Sequence, residues 1–242
     1  LLEKKSILFL QKEIIDDDVI IFCAAQAPAK NWEMFESNML IVSNFIDGVK
    51  GKNIKYLLNV SSDAVYSDSE TEIDEKSKAI PDNPHGYMHY FREKLLDDNL
   101  DIPIGHIRPT LVFGTNDPHN GYGPNMFLRL AKQGKNISLF GKGEELRDHI
   151  HVKDVAKIAI CMIENQVKSS INAVSSKPMT FFEIADLIKK ESNLKIEIIK
   201  NTRTSPMPHN GLRIFKKSKI NLFDQNFEIY SLKNYIKDAL ND

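Results

Sequence analysis

Three stretches of the 242-residue chain carry side chains whose types and spacing could do chemistry. The first, Ser61-Ser62-Asp63-Ala64-Val65-Tyr66, follows directly on an apolar run, Tyr56-Leu-Leu-Asn-Val60. A hydroxyl at the carboxyl end of a central strand stands where open α/β sheets bind ligands, and there Ser62 can donate to a ligand hydroxyl or carbonyl. The rival reading is that Ser62 only caps the next turn. The second stretch, Pro84 to Lys94, holds pairs four residues apart, which a helix puts on one face. Tyr87 has Phe91 four residues on and fails as a Tyr-x-x-x-Lys pair. Tyr90 and Lys94 meet that spacing literally. His85 and His89 offer a third register, and histidine moves protons near neutral pH. One site cannot use all three, because five residues rotate a helix by roughly 140°. The third stretch, Phe140 to Ala156, contains Arg147, whose planar guanidinium can give two parallel charge-assisted bonds to a phosphate. The rival there is a salt bridge to Asp148 or Asp154. His149 and His151 alternate on a strand and point the same way, but no third ligand lies at a recognised spacing, so no metal site is read.

The elements that must position these groups alternate between apolar strands and amphipathic helices. Strands are predicted at Asp18 to Ala25, Tyr56 to Val60, Ile104 to Pro109 and Ile137 to Phe140. Helices are predicted at Trp32 to Val49, Gly86 to Leu96, Met126 to Ala131, Asp154 to Glu164 with an acidic N-cap, Phe181 to Lys190 behind a Thr180/Glu183 capping box, and from near Ser231. Residues 67–84 are polar and read as a loop over a site. This order indicates an α/β protein with a doubly wound parallel sheet.

Composition narrows the class. A hydrophobic content of 42% allows a full core, and a formal net charge of -1 gives no electrostatic reason to expect a nucleic-acid partner. Lys216, Lys217 and Lys219 read as a solvated surface. Cys23 and Cys161 sit in apolar runs and read as buried thiols in a reducing, cytoplasmic compartment. No apolar run approaches the roughly 18 residues of a membrane span, and no signal-peptide layout is seen.

Taken together, these segments resemble the extended short-chain dehydrogenase/reductase family, the NAD-dependent epimerases and dehydratases that act on nucleotide sugars. The resemblance rests on Val60 to Tyr66, on Ile107-Arg-Pro-Thr-Leu-Val-Phe-Gly114, and most strongly on Phe140-Gly-Lys-Gly…Arg147-Asp148…Val152-Lys-Asp-Val-Ala156. It implies a Rossmann-like sheet, NAD or NADP as cofactor and a nucleotide-sugar substrate. It assigns substrate hydrogen bonding to Ser62 or Asp63. It makes a 4,6-dehydratase unexpected, because Ala64 stands where those enzymes carry a Glu base. The flanks Pro84, Gly86 and Glu93 fit the family best with His85 and His89 at the proton-shuttle and Lys positions, while Tyr90 and Lys94 fit the motif itself; both registers stay open.

By the same resemblance, Ala24, Ala25, Asn38, Ser61, Pro109, Thr110 and Leu111 face the cofactor, and Asn125, Phe140, Arg147 and Arg213 face the substrate. Residues 1–112 with 148–175 are expected to form a partial cofactor domain, and 113–147 with 176–242 a substrate lobe. Homodimerisation through two helices is usual in the family. Its glycine-rich dinucleotide loop, with the first strand–helix unit, is not found in this sequence. The 242 residues are therefore expected to be part of a longer polypeptide, which an intact mass of 27.6 kDa would refute, and to expose an apolar sheet edge. Two functions remain: hydride transfer at a sugar carbon by epimerisation or ketone reduction, or non-catalytic binding of a nucleotide sugar or dinucleotide in a regulatory or scaffolding role.

Overall fold

The computed structural model describes residues 1–117 and 120–241. In chain order its elements are α1 (Lys5–Glu13), β1 (Val19–Phe22), α2 (Trp32–Val49), β2 (Tyr56–Val60), β3 (Glu72–Ile73), α3 (Pro84–Asn99), β4 (Ile104–Pro109) and β5 (Leu111–Phe113). There follow α4 (Pro124–Lys132), β6 (Ile137–Phe140), β7 (Leu146–Arg147), β8 (His149–His151), α5 (Val152–Glu164), β9 (Ser170–Ala173), β10 (Met179–Thr180), α6 (Phe181–Ser192), β11 (Ile198–Asn201), β12 (Leu212–Phe215) and α7 (Leu232–Asn241).

The central sheet is parallel throughout, in the order β1-β2-β4-β9. Successive residues of a strand face opposite sides, and β2 feeds two cores in this way. Leu57 joins Phe22, Ile41, Val42, Phe45 and Leu96 beneath α2 and α3. Tyr56 and Leu58 join Ile107, Ile158, Met162 and Ile171 beneath α5. Helices on both faces of a parallel sheet make the doubly wound Rossmann-like arrangement. A third cluster gathers Phe113, Phe127, Leu139, Ile184, Ile188 and Ile236 among α4, α6 and α7. β1 is an edge of this sheet, with Val19 exposed and Ile21 52% exposed.

The helix ends follow from local chemistry. Asn31 caps α2 by accepting from Met34 N at 2.9 Å, and Asn83 caps α3 by accepting from Gly86 N at 2.9 Å, with Pro84 in the first turn where its missing N–H costs nothing. The Thr180/Glu183 capping box is formed. Two expectations are corrected. The N-cap of α5 is His151, not Asp154: the ring accepts from Lys153 N, while Asp154 lies in the first turn and accepts from Tyr230 N and Lys157. Cys23 is exposed at the end of β1, and only Cys161 is a buried thiol; both are unpaired. No helix among the described residues is long and apolar enough to cross a membrane.

Candidate functional site

At the carboxyl ends of β2 and β4, a cavity of about 200 Å³ is lined by Asp63, His85, Thr110, Arg147, His209 and Arg213, among others. Its floor is the turn after β2. Ser62 Oγ accepts from Ala64 N at 3.2 Å and so caps the short 3-10 helix Asp63–Val65. Helix α3 seats its first turn directly on that 3-10 helix. A β-carbon at Gly86 would collide with the Ala64 carbonyl oxygen and with Pro81, so only glycine lets the two backbones approach closely enough for Asp63 and His85 to share the cavity.

Arg213 arrives from β12 and locks the same turn. Its Nε donates to Asp63 Oδ2 at 2.7 Å and its Nη2 to the Asp63 carbonyl at 2.5 Å, with Nη1 reaching the Ser67 carbonyl. Arg147 is held differently. Nη2 donates to Glu145 and to the Pro208 carbonyl, and Nη1 is buried without a partner. Its salt bridge is thus to Glu145, not to Asp148 or Asp154. Asp148 turns away, accepting from Ser175 N, Ser175 Oγ and Lys177 N, and burial pushes its carboxyl up to about 6. His209 meets Asp68 at 2.7 Å; burial and the two neighbouring guanidinium groups lower it to about 4, so the contact is a hydrogen bond of a neutral ring at pH 7.

The inner stripe of α3 runs His85, His89, Arg92, at helical spacing. The two imidazoles meet edge to face, ring centres 4.6 Å apart. His85 Nδ1 is buried without a partner. His89 Nδ1 lies 3.2 Å from Arg92 Nη2. Tyr90 and Lys94 are placed elsewhere on the helix: Tyr90 packs against the cluster of Val65, Tyr66, Ile73 and Phe215, and Lys94 is exposed. Between the stripe and β4 lies a satisfied ionic network. Glu93 accepts from Ser61 Oγ at 2.5 Å and from Arg108 through both carboxylate oxygens, and Arg108 Nη1 donates to Tyr66 OH, which donates on to Asn172. Burial alone would raise Glu93, but the Arg108 guanidinium outweighs it and holds the carboxyl below its usual range.

The remaining predicted residues are spread around this centre. Asn38 staples the end of β1 to α2, accepting from Gln26 N and donating to the Gln26 carbonyl, both at 2.9 Å; Ala24 and Ala25 lie half-buried in the segment so held. Pro109 ends β4, Thr110 Oγ1 donates to the Asp148 carbonyl, and Leu111 opens outward. Asn125 lines a second cavity of about 510 Å³ with Leu111, Tyr122 and His149; its carboxamide is engaged by Gly114 N, Tyr235 OH and Asp117. Phe140 is exposed beside the Tyr122 ring. His149 is buried with both ring nitrogens unpartnered, and burial lowers it to about 4.

Sequence reasoning missed His209, Arg92 and the Glu145 bridge between Arg147 and Arg203. Only Arg92 had a signal, its i+3 and i+7 spacing from His89 and His85. The groups at the strand ends, with the orphaned His85 nitrogen among them, fit the nicotinamide end of a dinucleotide. Nothing among the described residues forms a glycine cradle for its pyrophosphate.

The profile of the NAD dependent epimerase/dehydratase family matches residues 6–174. A dTDP-4-dehydro-6-deoxy-D-allose reductase of a Streptomyces species is 24% identical over 200 residues, 71% of this chain and 58% of its own length. The ADP-L-glycero-D-manno-heptose-6-epimerase of Fusobacterium nucleatum is 28% identical over 220 residues, 77% of this chain and 64% of its own. The chain therefore spans less than two thirds of either relative. A UDP-glucuronic acid 4-epimerase from Bacillus cereus, solved with UDP-glucuronic acid and NAD, shares the fold at a TM-score of 0.82 and 19% identity, over 97% of this chain and 77% of that one. Because the family profile runs through most of the chain, from α1 to the segment after β9, the protein belongs to the NAD-dependent epimerase/dehydratase family.

Proposed function

We propose that the chain forms the substrate side and the nicotinamide end of an NAD- or NADP-dependent enzyme that oxidises or reduces one carbon of a nucleotide-activated sugar. The observation that carries this is the shared cavity, where a proton-transfer group, His85, and a guanidinium with an unused N–H, Arg147, stand together at the carboxyl ends of the strands. The nicotinamide, when bound, takes up or returns a hydride. The chain's own part is to hold the sugar and move the proton. As the C–H of a sugar carbinol leaves as hydride, its O–H proton passes to the ring of His85, leaving a ketone; the reverse step returns both. Burial, aided by Arg92 and opposed by Asp63, lowers His85, which keeps the ring unprotonated and able to accept. Arg147 binds a phosphate oxygen, and Ser62 or Asp63 orients the sugar.

Full-length protein incubated with UDP-, dTDP- and ADP-sugars, followed by cofactor absorbance and product analysis, tests this reading. His85→Gln is expected to abolish turnover and Tyr90→Phe to preserve it. The opposite pattern assigns the step to Tyr90, and loss in neither removes both. The non-catalytic alternative draws support from the inward-facing His85–His89 stripe, which is neither Tyr nor Lys; binding without turnover would establish it.

The division into a cofactor part, 1–112 with 148–175, and a substrate lobe, 113–147 with 176–242, draws support from the separate cluster among α4, α6 and α7. A homodimer through α2 and α3 draws support from an apolar groove of Trp32, Phe35, Met39, Pro84, Tyr87 and Phe91, in which Trp32 is 68% exposed. A single mass for the monomer in light scattering would remove it. A cytoplasmic location accords with the two unpaired thiols.

A further inference from the structure

Arg92 is a buried cation without an anion. It is 2% exposed, and its donors reach only neutral acceptors: Nη1 the Ala24 carbonyl at 3.3 Å, and Nη2 both the Val60 carbonyl and His89 Nδ1. Its Nε is buried without a partner, and the guanidinium carbon lies 5.4 Å from the centre of the Phe22 ring. The neighbouring carboxylate, Glu93, is taken by Arg108 and Ser61. Buried charges are as a rule paired, so this one invites an account beyond packing.

The account follows from what a guanidinium can do. It has five donors and no acceptor. The ring nitrogen it meets must accept, so His89 Nδ1 bears no hydrogen, and a neutral ring then carries its hydrogen on Nε2. Protonating His89 would set N–H against N–H and add a second positive charge where no carboxylate makes contact. We propose that Arg92 is a positioning residue that fixes His89 as the neutral Nε2–H tautomer and thereby keeps the His85–His89 pair uncharged for proton transfer. The functional half of this statement rests on the assignment of proton transfer to His85.

Among the surrounding groups, Arg92 and burial act in the same direction, and Asp63 opposes them at His85. Facing the pair are Arg92 on α3 and Asp63 on the turn after β2; Arg92 in turn is faced by Glu93 on α3 and Cys23 after β1. Burial first, then Arg92 and His85, hold His89 well below the ordinary histidine range. Arg92 itself is lowered by burial only to about 10, so it stays charged at neutral pH.

The test is histidine-selective 15N NMR of the full chain, which reads the tautomer without substrate or cofactor. In the unmodified protein His89 is expected to show a bare Nδ1 and a protonated Nε2 from pH 8 to pH 6. In Arg92→Met, with the fold checked by circular dichroism, the proton affinity of His89 is expected to rise at least about tenfold, one pKa unit. An Nδ1–H signal for His89 in the unmodified protein overturns the proposal, as does an unchanged His89 titration in the folded variant. If Arg92→Met does not fold, Arg92→Gln, which keeps donors but no charge, is held to the same expectation, and the unmodified spectrum decides the tautomer in any case. Turnover that survives His85→Gln would sink the catalytic assignment while leaving the tautomer result standing, so the two failures are distinguishable.

Discussion

Arg108 and Arg92 are both buried guanidinium groups within one layer of the molecule, yet they are held in opposite ways. Arg108 meets Glu93 with two parallel bonds and donates from Nη1 to Tyr66. Arg92 meets two carbonyls and an imidazole, with its Nε unpartnered. The first arrangement is closed: every charge has its counter-charge, and it ties α3 to β4. The second is open, and it lies against the histidine whose protonation state matters. Stability and readiness are thus assigned to different arginines, sixteen residues apart.

Breaking the closed network should have the largest effect. Arg108→Met leaves Glu93 as a buried, uncompensated carboxylate and is expected to cost about 3–5 kcal/mol in urea unfolding. A loss under 1 kcal/mol would mean the pair is not a clamp. His149, a buried ring with neither charge nor partner, marks the other extreme. His149→Phe is expected to gain about 1–3 kcal/mol at neutral pH by removing an unsatisfied polar group. It should also change the acid limb. The folded value of His149 is lowered to about 4 from 6.5, so the stability linked to it is complete above pH 6.5 and is lost as pH falls towards 4. The Phe variant should keep that part between pH 6.5 and 4. Glu93, also lowered, contributes fully above its ordinary 4.5 and is lost only below it. Arg92→Met should lower stability by only about 1–2 kcal/mol, since freeing two carbonyls of their donor is offset by relief of a desolvated charge. A loss as large as that of Arg108→Met would erase the distinction. Tyr66→Phe, which removes one acceptor from Arg108 and one donor to Asn172, should cost about 1 kcal/mol by the same denaturation.

Several strands and helices were legible, though β9 of the central sheet was not anticipated. Tyr56–Val60, Ile104–Pro109 and Ile137–Phe140, with the helix Trp32–Val49, fall on the predicted residues because each is a bounded apolar run or a regular amphipathic stripe. Helix α1 was not anticipated: it lacks a side-chain cap, and its Leu8 and Phe9 stay exposed, so it has no clean periodicity to read. The two-residue strands β3, β7 and β10 exist only through partners distant in sequence. Arg147 and His85 could be singled out because flanking residues marked them. The register on α3 could not be resolved, because i,i+4 spacing is common to all three pairs and only packing against β1 and β2 turns one face inward. Arg92 escaped notice because an arginine in a helix reads as surface charge. His209 reaches the cavity from a segment with no pattern at all.

The contact between Gly86 and the Ala64 carbonyl has one more consequence. The separation of the two walls of the small cavity is set by main chain meeting main chain, with no side chain between them to trim. A change of ligand preference is therefore expected to come from the lining side chains, such as Leu111, Arg147 or His209, rather than from position 86. The aperture itself behaves as a fixed gauge, and a single methyl group at position 86 is enough to throw it out of adjustment.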